Sequence, residues 1–401
     1  MTGTPKPMPL QGLKVIEMGN LIAGPFCARI LGEFGAEVIK IEDPQGGDQI
    51  RGWRKMYQGT SLWWFVQARN KKSVTLNLRA AEAQEIVRQL ARGADVVVEN
   101  FRPGAMEKWG LGWDALSALN PGLIMVRLSG YGQSGPYKDR VGFGTVAEAM
   151  GGLRYVTGWQ DRPPVRPGIS IGDSIASLYG VIGALVALHH RNVNGGKGQM
   201  VDVALYEAVF SMMESLVPEF DVLGFVRERS GNSLPGIAPT NTYTTRDGKY
   251  VVIGANADTI FKRCMRRIGR DDLADDPDLA GNAGRAARAD ELDRAIGEWT
   301  ARHDLDEALR MLEEADVPSG KVYDVRDIVA DAHYRAREMV REYRLADGKP
   351  VKLPGIVPKL SDTPGDTRWL GPALGAHTAD VLAELGYSEQ QQRELKQRGV
   401  I

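Results

Sequence analysis

The sequence predicts an α/β protein built on an open, mainly parallel sheet with helices on both faces. Two observations support this class. Short apolar segments alternate with helix-compatible segments through the first half of the chain, and one strand–helix–strand unit takes about 30 residues, which is typical of a right-handed parallel crossover. Glycine accounts for 47 of 401 residues, against a usual share of about 7%. This excess indicates many tight turns and close backbone approaches.

The elements of the large sheet follow from apolar runs bounded by turn residues. Helices are predicted at Pro25–Phe34, where Gly35 is the stop signal, and at Ala80–Arg92, which Gly93 ends. The predicted strands are Leu13–Met18, Glu37–Glu42, Lys72–Leu78, Asp95–Glu99, Leu123–Leu128 and Gln199–Ala204.

The character of the sequence changes after Gly224. Two hairpins are predicted there, at Asn241–Gly254 and Met339–Leu353. Helices are predicted at Ala283–Ala301 and Leu305–Ala315, and a C-terminal pair of helices within Gly375–Gly399. We therefore predict a large α/β domain at 1–224, a small α+β domain at 225–330, and a segment at 331–401 that returns to the large domain.

Composition and motifs exclude several classes of function. The net charge of −1 gives no overall case for binding nucleic acid or an anionic membrane. Met1–Pro9 lacks an apolar signal core, and the longest uncharged run, Ser174–Leu188, is shorter than the roughly 20 residues of a membrane span. Cys27 and Cys264 are expected to be buried apolar side chains in a cytoplasmic protein. The sequence contains no GxGxxG, P-loop, HExxH or GxSxG motif, so no metal site is predicted.

Asp173 is the residue that points most directly to chemistry. It lies between a glycine-containing turn and a long helix that is apolar on all sides, which predicts a buried helix. One interpretation is that Asp173 is an N-cap that accepts free amide hydrogens. The other is that the helix dipole keeps its carboxylate charged, so that it acts as a partly desolvated nucleophile. Both can hold at once.

Seven segments, in order along nearly the whole chain, resemble the class III CoA-transferases, a family that includes formyl-CoA transferase, carnitine CoA-transferase and the α-methylacyl-CoA racemases. These segments are LIAGPFCARILGEFGAEVIKIEDPQGGD (21–48), NKKSVTLNL (70–78), ADVVVENFRPGAMEKWGL (94–111), GYGQSGP (130–136), PVRPGISIGD (164–173), GGKGQMVDVALYEAV (195–209) and LGAHTADVLAELGYS (374–388).

The resemblance implies a mechanism and an assembly. Asp173 would attack an acyl-CoA thioester to form an acyl-aspartyl anhydride, and the released CoA thiolate would convert this anhydride into an aspartyl-CoA thioester. CoA thioesters are then substrates, and no metal or permanently bound cofactor is needed. The family forms interlocked homodimers whose active site lies between the large domain of one subunit and the small domain of the other.

The resemblance also implies that the large domain at 1–224 is the CoA-binding domain, and it carries over contacts to CoA residue by residue. The positions that match the family's CoA-binding motifs are Asn20, Leu21 and Ile22 at the thioester end, Leu76 and Arg79 near adenine and phosphate, Asn100 and Phe101 at a strand end, and Lys108 for phosphate.

Departures from the family pattern narrow the range of expected substrates. At Phe143 the racemases have a histidine base, and Phe143 cannot transfer a proton. The family often has an acidic residue at the next position, where this chain has Gly144. Formyl-CoA transferase typically has a glutamine at the position of Ile22. The remaining pattern is similar to transferases that use succinyl-CoA and dicarboxylates, and Arg51 and Arg166 are candidates to bind the distal carboxylate. A 2-methylacyl-CoA racemase, or a CoA-binding protein without turnover, remains as an alternative.

Overall fold

The structure is a computed structural model that describes residues 7–401. Most of the Met1–Pro9 stretch, which the sequence predicts to lack a signal core, therefore lies outside the described residues. Within that range the strands are β1 (Lys14–Glu17), β2 (Glu37–Glu42), β3 (Met56–Tyr57), β4 (Thr60–Ser61), β5 (Lys71–Thr75), β6 (Val96–Glu99), β7 (Ile124–Ser129), β8 (Met200–Ala204), β9 (Thr240–Thr244), β10 (Tyr250–Gly254), β11 (Ser319–Lys321), β12 (Val340–Arg344) and β13 (Pro350–Pro354).

The helices alternate with these strands in the first half of the chain. They are α1 (Ala23–Glu33), α2 (Leu62–Gln67), α3 (Ala81–Arg92), α4 (Ala105–Lys108), α5 (Trp113–Leu119), α6 (Gly144–Met150), α7 (Leu153–Val156), α8 (Ile171–Val193), α9 (Leu205–Phe210), α10 (Leu216–Leu223), α11 (Asp258–Arg267), α12 (Asp271–Ala274), α13 (Asn282–Ala287), α14 (Ala289–Thr300), α15 (Leu305–Glu314), α16 (Val325–Ala330), α17 (Ala332–Ala336), α18 (Thr378–Glu384) and α19 (Glu389–Gln397).

The large sheet has six strands in the order β5-β2-β1-β6-β7-β8, and every neighbouring pair is parallel. Counted along the chain within this sheet, the order is 3-2-1-4-5-6, the doubly wound arrangement that binds ligands where the strand order reverses. The predicted α/β class is confirmed. Each of the six predicted sheet strands is present, and Glu37–Glu42 has the predicted bounds.

Apolar side chains cover both faces of this sheet, as a parallel sheet requires. One buried cluster joins α1, α8 and α9 to the sheet, with Cys27 among its members. The other joins α3, α5, α18 and α19 to the opposite face. Both cysteines are buried, and burial raises the pKa of each thiol to about 12. The prediction that they are buried fillers is confirmed.

Helix α8 differs from its prediction. Its buried residues include Ala176, Gly180 and Ala184, whereas Leu178, Ile182 and Val186 are 47%, 54% and 62% exposed. The helix is therefore apolar on all sides but buried on only one, because the sheet covers a single face. By length and composition alone it is the one helix in residues 7–401 that could cross a membrane, and core helices of soluble proteins meet the same criterion.

The chain divides into two compact units. Of the described residues, the first contains 7–153, 167–214 and 338–401, and the second contains 154–166 and 215–337. The predicted domain limits at 224/225 and 330/331 lie within ten residues of the two later unit boundaries. The assignment of 154–166 to the second unit had no signal in the sequence, since it interrupts the large domain.

The second unit has its own core around the antiparallel sheet β11-β10-β9. The predicted hairpin is present, and Gly248 at its turn has a φ of 71°, a conformation that glycine adopts without strain. The predicted helix Ala283–Ala301 is instead two helices, α13 and α14, which meet at Arg288. Arg288 pairs there with Asp276 and Glu291, so side-chain pairing holds the break.

Candidate active site

The carboxyl ends of β1 and β6 lie side by side at the centre of the large sheet, where the strand order reverses. The segment after β1 begins at Met18, and the segment after β6 begins at Asn100. The Asn100 side chain bridges the two, because its Oδ1 accepts the Asn20 N–H at 2.8 Å and its Nδ2 donates to the Asn20 carbonyl at 2.9 Å. A Cβ at Gly19 would lie 2.6 Å from Asn100 Oδ1, so glycine is required at this close approach.

Two cavities open from this point. One, of about 400 Å³, is lined by Asn20, Leu76, Arg79 and Phe101 together with Glu42, Asp43, Gln49 and Trp109. Phe101 and Trp109 pack edge to face, with ring centroids 5.1 Å apart. An aromatic pair beside an arginine and exposed backbone suits a nucleotide base and its phosphate.

The other cavity, of about 300 Å³, contains Asp173. It is lined by Asn20, Leu21, Ile22 and Phe143, and it shares Asn20, Gln49 and Phe101 with the first cavity. The two cavities are therefore neighbouring parts of one cleft that ends at a carboxylate. Asp173 is the single carboxylate among the residues that line this part.

Asp173 is the third residue of α8, and the N-cap position belongs to Ser170, whose side chain makes no capping hydrogen bond. The interpretation of Asp173 as an N-cap is therefore wrong. Its place in the first turn of a 23-residue helix still favours a negative charge through the helix dipole. The buried Ser177 hydroxyl lies 2.7 Å from the Asp173 carbonyl and 2.8 Å from the Ala23 carbonyl of α1, and these contacts fix this turn against α1.

Gly144, the first residue of α6, faces the Asp173 carboxylate. A Cβ at Gly144 would lie 2.0 Å from Asp173 Oδ2 and 2.7 Å from its Cγ. Real side chains do not approach so closely, so the absent side chain at 144 provides the space that the carboxylate occupies. The sequence pattern indicates only that an acidic side chain is missing here. The structure shows in addition that any side chain at 144 would overlap the Asp173 carboxylate.

Glu99, the last residue of β6, is buried and contacts the backbone of a residue that lines the cleft. Its Oε2 accepts the Phe101 N–H at 2.7 Å, and its Oε1 accepts from Arg127 Nε at 2.7 Å. Burial raises the pKa of Glu99 to about 7, although Arg127 opposes this shift. The contact to Phe101 fixes the backbone at the junction of the two cavities.

The structure separates the predicted site residues into two groups. Asn20, Leu21, Ile22, Leu76, Arg79, Asn100, Phe101, Phe143 and Asp173 line one or both parts of the cleft. Lys108 lies at the end of α4, is exposed and lines neither part. Arg166 is exposed and belongs to the second unit, so its predicted contact with a carboxylate stays a prediction.

Arg51 does not line the cleft, and all three nitrogens of its guanidinium donate hydrogen bonds elsewhere. Nε and Nη2 donate to the two oxygens of Glu42 at 2.7 and 2.8 Å, and Nη1 donates to the Pro372 carbonyl at 3.2 Å. The group also stacks 3.6 Å from the centre of the Trp64 ring. These contacts give Arg51 a structural role and correct its interpretation as a ligand for a substrate carboxylate.

Sequence reasoning missed three cations that line the Asp173 cavity: Arg102, Lys138 and Arg140. Arg140 stacks over the Tyr137 ring, with 3.6 Å from its Cζ to the ring centre. A signal was present, since Arg102 directly follows Phe101 and the other two lie in the loop after β7. Carboxyl ends of adjacent parallel strands share one edge of the sheet, so these loops had to meet.

The family profile described as CoA-transferase family III matches residues 10–378. The chain belongs to this family. It is therefore an enzyme that transfers CoA to a carboxylic acid, and CoA thioesters are its substrates. The match covers both parts of the cleft and the predicted class is confirmed.

Members of the family resemble the chain over its whole length. It is 48% identical to the succinyl-CoA–D-citramalate CoA-transferase of Chloroflexus aurantiacus, and the comparison covers 100% of both chains. It is 42% identical to the β subunit of succinyl-CoA–L-malate CoA-transferase from the same organism, again with 100% of both chains covered. The structure of a CAIB/BAIF family protein from Brucella suis superposes with a TM-score of 0.83 at 34% identity, and covers 95% of this chain and 100% of that one.

Proposed function

We propose that the protein transfers CoA from succinyl-CoA to a second dicarboxylic acid through covalent intermediates on Asp173. The observation that carries this proposal is the position of Asp173 as the single carboxylate lining one end of a cleft, whose other end suits a nucleotide. The thioester of a CoA molecule lying along the cleft would face this carboxylate. The names of two full-length relatives, which act on citramalate and malate, support succinyl-CoA as donor.

The reaction balances with one enzymic carboxylate. Asp173 attacks the thioester carbonyl carbon, the C–S bond breaks, and an anhydride and CoA thiolate result. The thiolate attacks the aspartyl carbonyl, which releases succinate and leaves an aspartyl-CoA thioester. The acceptor carboxylate repeats these two steps in reverse, so that Asp173 is regenerated as a carboxylate. No water enters, and water would destroy the anhydride.

Incubation with succinyl-CoA followed by hydroxylamine tests the covalent steps. Hydroxylamine converts the activated carboxyl of Asp173 into a hydroxamate, which peptide mass spectrometry locates. The same incubation without acyl-CoA is the control. Modification at another residue, or none under conditions of turnover, would contradict the proposed mechanism.

Racemisation is the weaker alternative. Phe143 lines the cavity with Asp173 and carries no proton-transfer group at this position. Incubation of a 2-methylacyl-CoA in deuterated water distinguishes the two reactions, since only a racemase exchanges the α-hydrogen.

The cations of the cavity support a dicarboxylate acceptor. Arg102, Lys138 and Arg140 line it together with one carboxylate, and no hydrogen bond or ion pair occupies the Arg140 guanidinium among the described residues. Stacking on Tyr137 holds the planar group in place, where it can bind a carboxylate in a bidentate manner. We propose Arg140 as the ligand of the distal carboxylate.

Arg140→Met is expected to raise the KM for a dicarboxylate acceptor about tenfold, because one charge-assisted hydrogen-bonded contact is lost. The KM for a monocarboxylate such as butyrate should stay within about twofold. Initial rates with acceptors at varied concentration measure both. Arg92→Met, at an exposed arginine of α3, is the matched control. Equal increases for both acceptors would assign Arg140 to CoA instead.

We also propose that the protein is a homodimer, as the family resemblance implies. Leu178, Ile182 and Val186 form an exposed apolar stripe along α8, and such stripes are typical of surfaces covered by a partner. Sedimentation equilibrium should give twice the chain mass of 43.9 kDa. Ile182→Lys should shift the protein towards monomer, and a monomeric wild-type protein would contradict the proposal.

A further inference from the structure

The turn between β1 and α1 forms one wall of the Asp173 cavity. Buried charged side chains from other segments bind its backbone. Lys40 Nζ donates to the Gly19 carbonyl at 2.8 Å, Asp48 Oδ1 accepts the Leu21 N–H at 2.9 Å, and Lys71 Nζ donates to the Pro25 carbonyl at 2.7 Å. Two backbone groups of the five-residue turn Met18–Ile22, and one in the first turn of α1, thus bind three charged side chains that come from other segments.

These side chains belong to one buried ion network. Lys40 Nζ lies 2.6 Å from Glu17 Oε1 and 2.8 Å from Asp48 Oδ2, and Lys71 Nζ lies 2.7 Å from Glu17 Oε2. All four side chains are at most 1% exposed. Burial alone would lower the pKa of Lys40, but Asp48 and Glu17 outweigh it and raise the pKa. The ammonium group therefore remains charged.

Leu21 makes this support necessary. Its φ is 66°, in the left-handed region that costs energy for a residue with a branched apolar side chain. The surrounding structure must hold such a residue in place. Asp48 does so at the Leu21 amide, and it is itself held by Lys40 and by its own N–H, which donates to Glu42 Oε2 at 3.0 Å.

We propose that Asp48 is a positioning residue for CoA transfer, which keeps Leu21 and Ile22 in the conformation that shapes one wall of the Asp173 cavity. Asp48 is fully buried and lines neither part of the cleft, so it acts through the turn. The inference rests on the proposed function only in placing the reacting thioester beside this wall.

Asp48→Ala removes the acceptor for Leu21 and leaves Lys40 with one fewer counter-charge. We expect kcat for exchange of labelled succinate with succinyl-CoA to fall at least about tenfold, since small misplacements near reacting atoms have large effects on rate. The dissociation constant of CoA should change less than kcat does. Gly46, Gly47 and Gln49 of the Asp48 segment line the nucleotide end of the cleft, but Leu76, Arg79, Phe101 and Trp109, which also line it, belong to other segments. Asp48→Asn keeps an oxygen acceptor and should recover part of kcat.

The matched control is Glu33→Gln, which disrupts another buried ion pair of the same unit, between Glu33 and Arg69. It should lower thermal stability without changing kcat more than about twofold, measured at a temperature where each variant is folded. A kcat within twofold of wild type for Asp48→Ala, or for Asp48→Asn if the alanine variant does not fold, would overturn the proposal. So would an equal loss of kcat in Glu33→Gln.

This test is independent of the aspartyl mechanism. If hydroxylamine failed to modify Asp173, the covalent steps would be wrong, yet kcat of the Asp48 variants would still report on the turn. If Asp173 were modified but the Asp48 variants kept their kcat, only the positioning role would fail.

Discussion

Asp173→Asn is expected to abolish CoA exchange between labelled succinate and succinyl-CoA, with kcat at least about 10³-fold below wild type. Asparagine preserves the shape of the side chain and an oxygen atom, but its amide does not attack a thioester. The measurement is the rate at which label appears in succinyl-CoA, separated by chromatography.

Binding data distinguish this result from a loss of structure. CoA should bind Asp173→Asn with nearly the wild-type dissociation constant, by calorimetry, because the nucleotide end of the cleft does not include Asp173. The denaturation midpoint should also change little, since Asp173 is not the N-cap of α8. Retained exchange would exclude Asp173 as nucleophile, and would indicate that its charge serves only the first turn of the helix.

Gly144→Ala should be nearly as damaging to activity, although the change adds one methyl group. The new Cβ would lie 2.0 Å from Asp173 Oδ2, so the carboxylate must rotate away from its present position or α6 must move. A misplacement of about 1 Å at a reacting group can cost about 10²-fold in rate. We expect a loss of this size in kcat, with CoA binding retained.

Gly297→Ala is the control for this variant. Gly297 also lies in a helix, and a Cβ there would meet only Tyr243 Cδ1 at 3.9 Å, an ordinary contact. Steady-state kinetics should show unchanged kcat for Gly297→Ala. A Gly144→Ala enzyme with wild-type kcat would mean that the Asp173 carboxylate adopts another position during turnover.

The cleft explains how this fold binds a nucleotide thioester without a dinucleotide motif. In the doubly wound order, the strand ends of β1 and β6 leave a crevice that requires close backbone approach. Here the approach is secured by Gly19 and by the Asn20–Asn100 bridge instead of by the spacing of three glycines. The turn after β1 is then free to carry Leu21 and Ile22 to the reactive end.

The sequence by itself determined the sheet and the family, and it singled out Asp173 as the candidate nucleophile. Strands such as β6 contain continuous apolar runs, here Val96–Val98, and local patterns of this kind depend on the near neighbours along the chain. Asp173 was identifiable because a lone carboxylate before a long apolar helix is unusual in the chain and lies in a family motif.

Only the tertiary structure decided what each charge does. The sequence indicated Arg51 as a substrate ligand. In the structure it contacts Pro372, 321 residues away, and stacks on Trp64. Arg140 gave no signal by itself, and the exposed face of α8 contradicted a pattern that indicated full burial. Charged side chains are long and act on whichever groups the fold brings within a few ångströms, so their roles depend on distant parts of the chain that periodicity does not report.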